Sequence, residues 1–271
     1  MYALHGKVAV VTGAGSGIGR ALARAFAHKG CRLALADIDG RSLSETAAML
    51  PVPAFTQTLD VADRAAVFAF ADAVKREYGT AHVVVNNAGV ALSQTLERLD
   101  YEDFEWLMNI NFWGVVHGTK AFLPLLRAQN DGVIVNLSSI FGIITVPTQG
   151  AYHAAKFAVR GYTETLRQEL EGSGVFAVCV HPGGVRTNIA RHARHYVDSM
   201  GNTDPARAAA QFERLARTSP DQAAREIVAA IERRKARVLI GADARLLDWI
   251  QRLFPTSYPR ILRAMLRRMR T

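Results

Sequence analysis

Two side chains able to move a proton lie in the run Tyr152-His153-Ala154-Ala155-Lys156. Four residues apart on a helix, a phenol and an ammonium share one face. A phenol, with a reference pKa of about 10, transfers protons near neutrality only if its anion is stabilised. An ammonium at about 4 Å contributes on the order of 4 kcal/mol at an effective dielectric near 20, or roughly three pKa units. The same pair also fits a solvated helix surface, so its meaning depends on the rest of the chain.

A second constellation is built to bind. Thr12-Gly13-Ala14-Gly15-Ser16-Gly17-Ile18-Gly19 follows an apolar run and opens into a helical pattern. Glycines let a backbone approach a pyrophosphate closely, and a helix N-terminus offers unpaired N–H groups. A GxGxxG frame on Gly13 and Gly15 fails because it needs glycine at Ile18, whereas GxxxGxG fits Gly13, Gly17 and Gly19. Asp37 stands 18 residues after Gly19, at the end of the next apolar run. A carboxylate there accepts the hydroxyls of an adenosine ribose and repels a 2′-phosphate. Ile38 follows it and Ser16 precedes Gly17, with no arginine at either place, so NAD is favoured over NADP; Arg41 is the one nearby cation that could argue otherwise.

These residues need a scaffold whose strand ends converge. Strands are predicted at Lys7–Thr12, Leu33–Ala36, Ala54–Thr58, His82–Val85, Gly132–Leu137, Val175–Val180 and Arg237–Ile240. Helices are predicted at Ile18–His28, Leu43–Leu50, Ala62–Tyr78, Phe104–Gln129 and Tyr152–Glu171. Strands apolar on both faces and linked by helices give an α/β fold, a doubly wound parallel sheet of about seven strands with helices on both faces. Residues 188–219 break the rhythm and are expected to be an irregular, mobile flap over the strand ends, where substrates are selected. The expected organisation is one domain over residues 1–241 and a basic, amphipathic helical extension over residues 242–271.

With these motifs in order, the chain resembles the short-chain dehydrogenase/reductase family from about Lys7 to Gly241. The matching stretches are TGAGSGIG at Thr12–Gly19, LDV at Leu59–Val61, NNAG at Asn86–Gly89 and NxxG at Asn111–Gly114. They continue with Ser139 of NLSS, YHAAK at Tyr152–Lys156 and PGGVRT at Pro182–Thr187. The resemblance implies a Rossmann-like, nicotinamide-dependent oxidoreductase acting on an alcohol or ketone. Tyr152 would exchange a proton with the substrate oxygen, which Ser139 would hold, while Ser138 points elsewhere. Lys156 would bind the nicotinamide ribose and lower the pKa of Tyr152. Asn111 would sit at a distorted helical turn and hold a water linking Lys156 to solvent. The cofactor would lie against Gly13, Gly15, Ser16, Gly17, Ile18 and Gly19, with its ribose on Asp37. Its adenine would lie between Asp60 and Val61, followed by Asn87, Ala88 and Gly89, and its nicotinamide at Pro182, Gly183, Val185 and Thr187. The resemblance also implies a homodimer or homotetramer joined through the helices Phe104–Gln129 and Tyr152–Glu171.

Composition narrows the alternatives. The 271 residues are 49% hydrophobic and 21% charged, which excludes a disordered or collagen-like chain. Cys31 and Cys179 each sit in apolar runs and read as free buried thiols, and His192 and His195 lack the acids or cysteines of a metal site. Of the net charge of +9, +8 falls between Glu232 and Thr271, and the body is nearly neutral, which argues against nucleic-acid binding. No signal sequence or membrane-spanning run is read, so a cytoplasmic protein is expected. The competing readings are a non-catalytic dinucleotide sensor, a nucleotide-sugar epimerase and an NADPH-dependent 3-oxoacyl reductase. The first fits poorly with all four catalytic residues present; the others would call for a longer chain with a different glycine pattern and for a basic residue near the 2′-phosphate. Ile140–Thr145, Pro147, Gln149 and the flap are expected to line a pocket, which the apolar Phe141, Ile143, Ile144 and Val146 suit to a lipophilic secondary alcohol or ketone. In the tail, Leu246, Leu247, Trp249, Ile250, Leu253 and Phe254 form one apolar pattern and Ile261, Leu262, Met265, Leu266 and Met269 another. Arg252, Arg260, Arg263, Arg267, Arg268 and Arg270 accompany them. Such helices either close a core or make peripheral contact with a membrane surface.

Overall fold

Apolar β-branched runs pair with one another because the central ones are buried on both faces, while the edge strands are only partly covered. Val8–Thr12 (β1), Arg32–Asp37 (β2), Ala54–Thr58 (β3), Val83–Asn86 (β4), Gly132–Leu137 (β6), Val175–Pro182 (β7) and Arg237–Ile240 (β9) form one sheet in the order β3-β2-β1-β4-β6-β7-β9. Every pairing is parallel. The structure, a computed structural model, describes residues 1–268, with side chains as far as Met265.

Helices cover both faces. Gly17–His28 (α1), Gly40–Ala48 (α2) and Pro220–Glu232 (α8) lie on one side, where Phe26, Leu22 and Ile227 are fully buried. Arg64–Tyr78 (α3), Gly114–Ala128 (α5) and Gly150–Glu169 (α6) lie on the other, around Phe70, Phe122 and Leu166. The registers place Val11 beside Val85, Asn86 beside Asn136 and Leu137 beside Val180, so the carboxyl ends of β1, β4, β6 and β7 finish together. A buried polar chain locks this edge to its helices. Asn86 donates to Asn136 (2.8 Å) and Thr119 (3.2 Å), and Asn136 donates to Thr163 (3.0 Å).

Three expectations are corrected. The long helix predicted at Phe104–Gln129 begins three residues earlier and is not continuous. Tyr101–Met108 (α4) is capped by Asp100, and a wider π-type turn at Asn109–Trp113 separates it from α5. Residues 188–219 are not irregular throughout. They contain a short strand, Arg194–His195 (β8), paired with Leu92–Ser93 (β5), and a helix, Pro205–Leu215 (α7), capped by Asp204. Isolated polar and basic letters hid a helix whose apolar content is mostly alanine. Third, Ile143 and Ile144 do not line a pocket. With Ile140 they are buried beneath the C-terminal helices Ala242–Leu253 (α9) and Tyr258–Arg268 (α10), against Ala244, Tyr258 and Leu262. The extension therefore closes a core of its own. The side chains of Leu266, Arg267, Arg268, Met269 and Arg270 lie outside those described.

Candidate active site

Glycine is required at the turn after β1 because neighbouring backbone occupies the space of a side chain. A Cβ on Gly19 would stand 2.0 Å from the Gly13 carbonyl oxygen, and one on Gly13 (φ +65°) 2.8 Å from Ala88 Cα. Asn87 fixes the turn from below, donating to the carbonyls of Thr12 (2.9 Å) and Gly13 (3.1 Å), while Thr12 Oγ1 accepts from the N–H groups of Asn87 and Ala88. Ser16 is extended and gives α1 no side-chain cap, whereas α2, α3, α4, α7 and α8 are capped by Asp39, Asp63, Asp100, Asp204 and Ser219. An uncapped helix start behind a side-chain-free loop fits a pyrophosphate.

Asp37 lies beside this loop. Its Oδ2 accepts from Gly15 N–H at 2.8 Å and its Oδ1 from Asp39 N–H at 3.0 Å, so the carboxylate is held at the end of β2 while Asp39, not Asp37, caps α2. Arg41 pairs with Glu45, and Arg20 is committed to Gly15, Ser42, Thr46 and Glu45. Asp60 accepts from Ala62 N–H, and Val61 is buried against Gly114. Thr187, beyond β7, reaches across to Gly17, where a Cβ would meet its Cγ2 at 3.0 Å. The residues named from the sequence for a cofactor thus stand along the carboxyl ends of β1, β2, β4 and β7.

The proton-handling residues gather at the end of β6. Ser139 Oγ accepts from Phe141 N–H at 3.1 Å, and its hydroxyl beside the Tyr152 phenol favours the phenolate. Burial works against this and pushes Tyr152 up to about 12. Lys156, almost fully buried, is pushed down to about 8 by the same cause. The pull of Lys156 on Tyr152 expected from the sequence is not made by this pair alone. The ammonium donates to the Leu137 carbonyl at 2.9 Å and lies over the phenol ring, 5.5 Å from its centroid, rather than against its hydroxyl. Asn111 occupies the π-type turn as expected and is fully buried, clamping Val90 through both N–H and C=O (2.8 and 2.9 Å). Gly89 is the narrow point between them, since a Cβ there would lie 3.1 Å from Asn111 Oδ1 and 3.6 Å from Lys156 Nζ. Ser138 does point elsewhere, donating to the Lys156 carbonyl at 2.8 Å.

Four positioning residues escaped the sequence reading. His181, fully buried on β7, contacts the Ser139 carbonyl at 3.0 Å; a carbonyl only accepts, which assigns the proton to Nδ1. His153 holds both limbs of the loop after Ser139, meeting the Phe141 carbonyl at 3.0 Å and accepting from Val146 N–H at 2.9 Å. Both histidines are visible in the sequence beside functional motifs, but no spacing reveals their partners. From the extension, Tyr258 Oη accepts from Thr145 N–H at 3.0 Å, and Asp243 Oδ2 accepts from Gly184 N–H at 2.7 Å. Asp243 also explains the glycine at 183, where a Cβ would fall 2.3 Å from its carboxylate. Among the described residues no cluster of His, Cys, Asp or Glu could hold a metal ion, and none of the helices is long and apolar enough to cross a membrane.

The chain is similar to known proteins. A family model described as short chain dehydrogenase matches residues 7–198. SadH of Mycobacterium tuberculosis, named as an oxidoreductase, is 46% identical, with the match covering 97% of this chain and 96% of SadH. A short chain dehydrogenase/reductase from Burkholderia phymatum, solved in complex with NAD, has a TM-score of 0.87 at 32% identity over 93% of this chain and 95% of that one. An alcohol dehydrogenase from Thermococcus sibiricus, complexed with 5-hydroxy-NADP, has a TM-score of 0.72 at 29% identity over 87% and 94% of the two chains.

Proposed function

Because this chain belongs to the short-chain dehydrogenase/reductase family of oxidoreductases, we propose that it is an NAD-dependent dehydrogenase or reductase of a lipophilic secondary alcohol or ketone. The observation that carries the reading is the convergence of Ser139, Tyr152 and Lys156 at the end of β6, with the ammonium 5.5 Å from the Tyr152 ring centroid. When bound, the nicotinamide supplies the hydride acceptor or donor. Gly13, Gly15, Ser16, Gly17, Ile18 and Gly19 would hold the pyrophosphate, Asp37 the adenosine ribose, and Asp60 and Val61 the adenine, with Asn87, Ala88 and Gly89 packed against the cofactor. Pro182, Gly183, Val185 and Thr187 would hold the nicotinamide end.

The chain's own work is positioning and proton control. Ser139, with one lone pair taken by Phe141 N–H, keeps its hydroxyl proton for the substrate oxygen or the phenol. Tyr152 gives its proton to a carbonyl oxygen or takes one from an alcohol. Lys156 would hold the nicotinamide ribose and keep a positive charge behind the ring, and Asn111 would hold a water that links Lys156 to solvent. NAD is favoured because Asp37 would repel a 2′-phosphate and the neighbouring Arg20 and Arg41 are engaged. The apolar lean rests on Phe141, which meets the Tyr152 ring edge-on with centroids 6.2 Å apart, and on Val146. A homo-oligomer is supported by Tyr101, Trp113 and Phe157, apolar side chains exposed on α4, on the π-type turn and on α6.

Turnover of a panel of secondary alcohols and ketones with NAD(H) and NADP(H) tests the reading. Tyr152→Phe is expected to bind NAD normally and lose at least 10²-fold in kcat, the usual contribution of a general acid–base group. Asp37→Ala with Ile38→Arg should shift preference towards NADP by roughly tenfold or more. Retention of activity in Tyr152→Phe, or a wild-type Kd for NADP at or below that for NAD, defeats the corresponding half of the proposal.

A further inference from the structure

The two faces of the C-terminal extension are used differently. Its inner face is spent on the domain. Ala244, Tyr258 and Leu262 bury Ile140, Ile143 and Ile144, and Asp248 lies beneath Arg237 and Arg252. On the outer face of α9, Leu246, Trp249 and Leu253 recur at i, i+3 and i+7, followed by Phe254. Their exposures are 50, 63, 65 and 47%, a ridge of three large apolar side chains on one short helix and a fourth just past its end. Arg245, Arg252, Arg260 and Arg263 are exposed around them.

We propose that this outer face docks on an anionic lipid surface, with Leu246, Trp249 and Leu253 in the headgroup region and the arginines on lipid phosphates. Charge selects this occupant over a second copy of the chain. From Trp249 to Thr271 the sequence has six arginines and no acidic residue. The two acids of the extension are already engaged, Asp243 with Gly184 N–H and Asp248 with Arg237. A two-fold contact through this face would set Arg260 and Arg263 against arginines, since the nearby carboxylates Glu226 and Asp248 are already paired with Arg245 and Arg252. Anionic lipid meets both requirements together, since apolar side chains enter the headgroup boundary, tryptophan prefers that depth and each arginine finds a phosphate. Arg260 and Arg263 have no ion pair among the described residues and are free to do so.

Docking has a consequence for the active site. The inner face of the same helices holds the loop Ile140–Thr145, which begins one residue after Ser139, so the rim of the catalytic pocket would be carried to the lipid surface. Only this step rests on the lipophilic substrate proposed above; the docking itself does not.

The full chain is mixed with phosphatidylcholine vesicles containing phosphatidylglycerol, and with phosphatidylcholine alone, and sedimented at low and high salt. Binding is expected only with the anionic vesicles, weakened by salt and by about fivefold for each of Arg260→Gln and Arg263→Gln. Brominated acyl chains should quench tryptophan fluorescence, and Trp249→Phe should remove most of that quenching. Trp249→Ser with Leu253→Ser should abolish sedimentation while NAD binding shows the domain still folded. No sedimentation at low salt, or equal sedimentation by the double variant, overturns the proposal. So does a smaller particle by light scattering for the double variant with vesicle binding intact, which assigns the face to a second copy. Dehydrogenase activity is measured separately in detergent-free solution, so failure of either reading leaves the other measurable.

Discussion

The cofactor side and the substrate side of this sheet edge are held by different kinds of constraint. On the cofactor side the constraint is steric and falls on the backbone. At Gly13 and Gly19 the space of a side chain is filled by main-chain atoms, and one residue type satisfies the position. On the substrate side the constraint is a single hydrogen bond reaching over a long sequence separation, as between His181 and the Ser139 carbonyl and between Tyr258 and Thr145 N–H. Several side chains could make each bond. A position that excludes nineteen residues announces itself, whereas a position that several can fill does not.

The largest effect should come from violating the steric side. Gly19→Ala places a methyl 2.0 Å from the Gly13 oxygen and 2.7 Å from Asn87 Nδ2. Neither can rotate away, so the cost should reach or exceed the ~1–3 kcal/mol of ordinary overpacking, with cofactor affinity falling more than tenfold. Gly161→Ala is the control. Within α6, with nothing inside 4 Å of a new Cβ, it should stabilise by about 0.5–1 kcal/mol. Thermal unfolding and NAD titration of the two variants measure the contrast, and equal effects would break it.

The same division explains what could be read from the sequence. All seven strands of the main sheet were legible, Ala54–Thr58, Gly132–Leu137 and Arg237–Ile240 to the residue: burial on both faces leaves an unbroken apolar run in the central strands, and the part-exposed edge strand Ala54–Thr58 carries the β-forming Phe55, Thr56 and Thr58. The glycine turn, Asp37 and the Tyr152–Lys156 spacing were legible because each states its own geometry. The break in the long helix was legible only through Asn111, since a π-type turn has no composition of its own. Helix α7, the β5–β8 pairing and the burial of Ile143 and Ile144 under α9 and α10 were not legible. They depend on which surface reaches which, and an amphipathic pattern says only that one face is covered. The Tyr152–Lys156 argument shows the limit within a motif. Spacing placed the two groups together, but burial and the Leu137 carbonyl decide where the ammonium points.

A smaller effect should separate burial from contact on the substrate side. Burial holds His181 down to about 4, against 6.5 when exposed, so between these values the unfolded chain binds a proton that the folded chain refuses. Stability is therefore complete above about pH 6.5 and falls as pH drops towards 4, by on the order of 3 kcal/mol from this group. His181→Asn, which keeps an N–H for the Ser139 carbonyl, should flatten that slope in urea melts while leaving kcat at neutral pH within a few-fold. An unchanged slope would mean that His181 is not the group refusing the proton.

The smallest effect tests whether the extension serves the site at all. Asp243 lies at the first turn of α9 and accepts the Gly184 N–H from within the loop that carries Val185 and Thr187. A hydrogen bond to a charged acceptor contributes about 1.5–3 kcal/mol when shielded, and Asp243 is exposed, so about 1 kcal/mol is the reasonable expectation. Asp243→Ala should then raise KM for NAD roughly fivefold with little change in kcat, because the loop still closes but closes less often. Asp243→Asn keeps a side-chain oxygen for Gly184 and should recover most of the loss. Were the bond merely a cap for α9, both variants would lower the melting temperature and leave KM alone. Separation of the two variants in KM, with their melting temperatures alike, places a cofactor-positioning residue in the extension, 59 residues beyond the loop it serves.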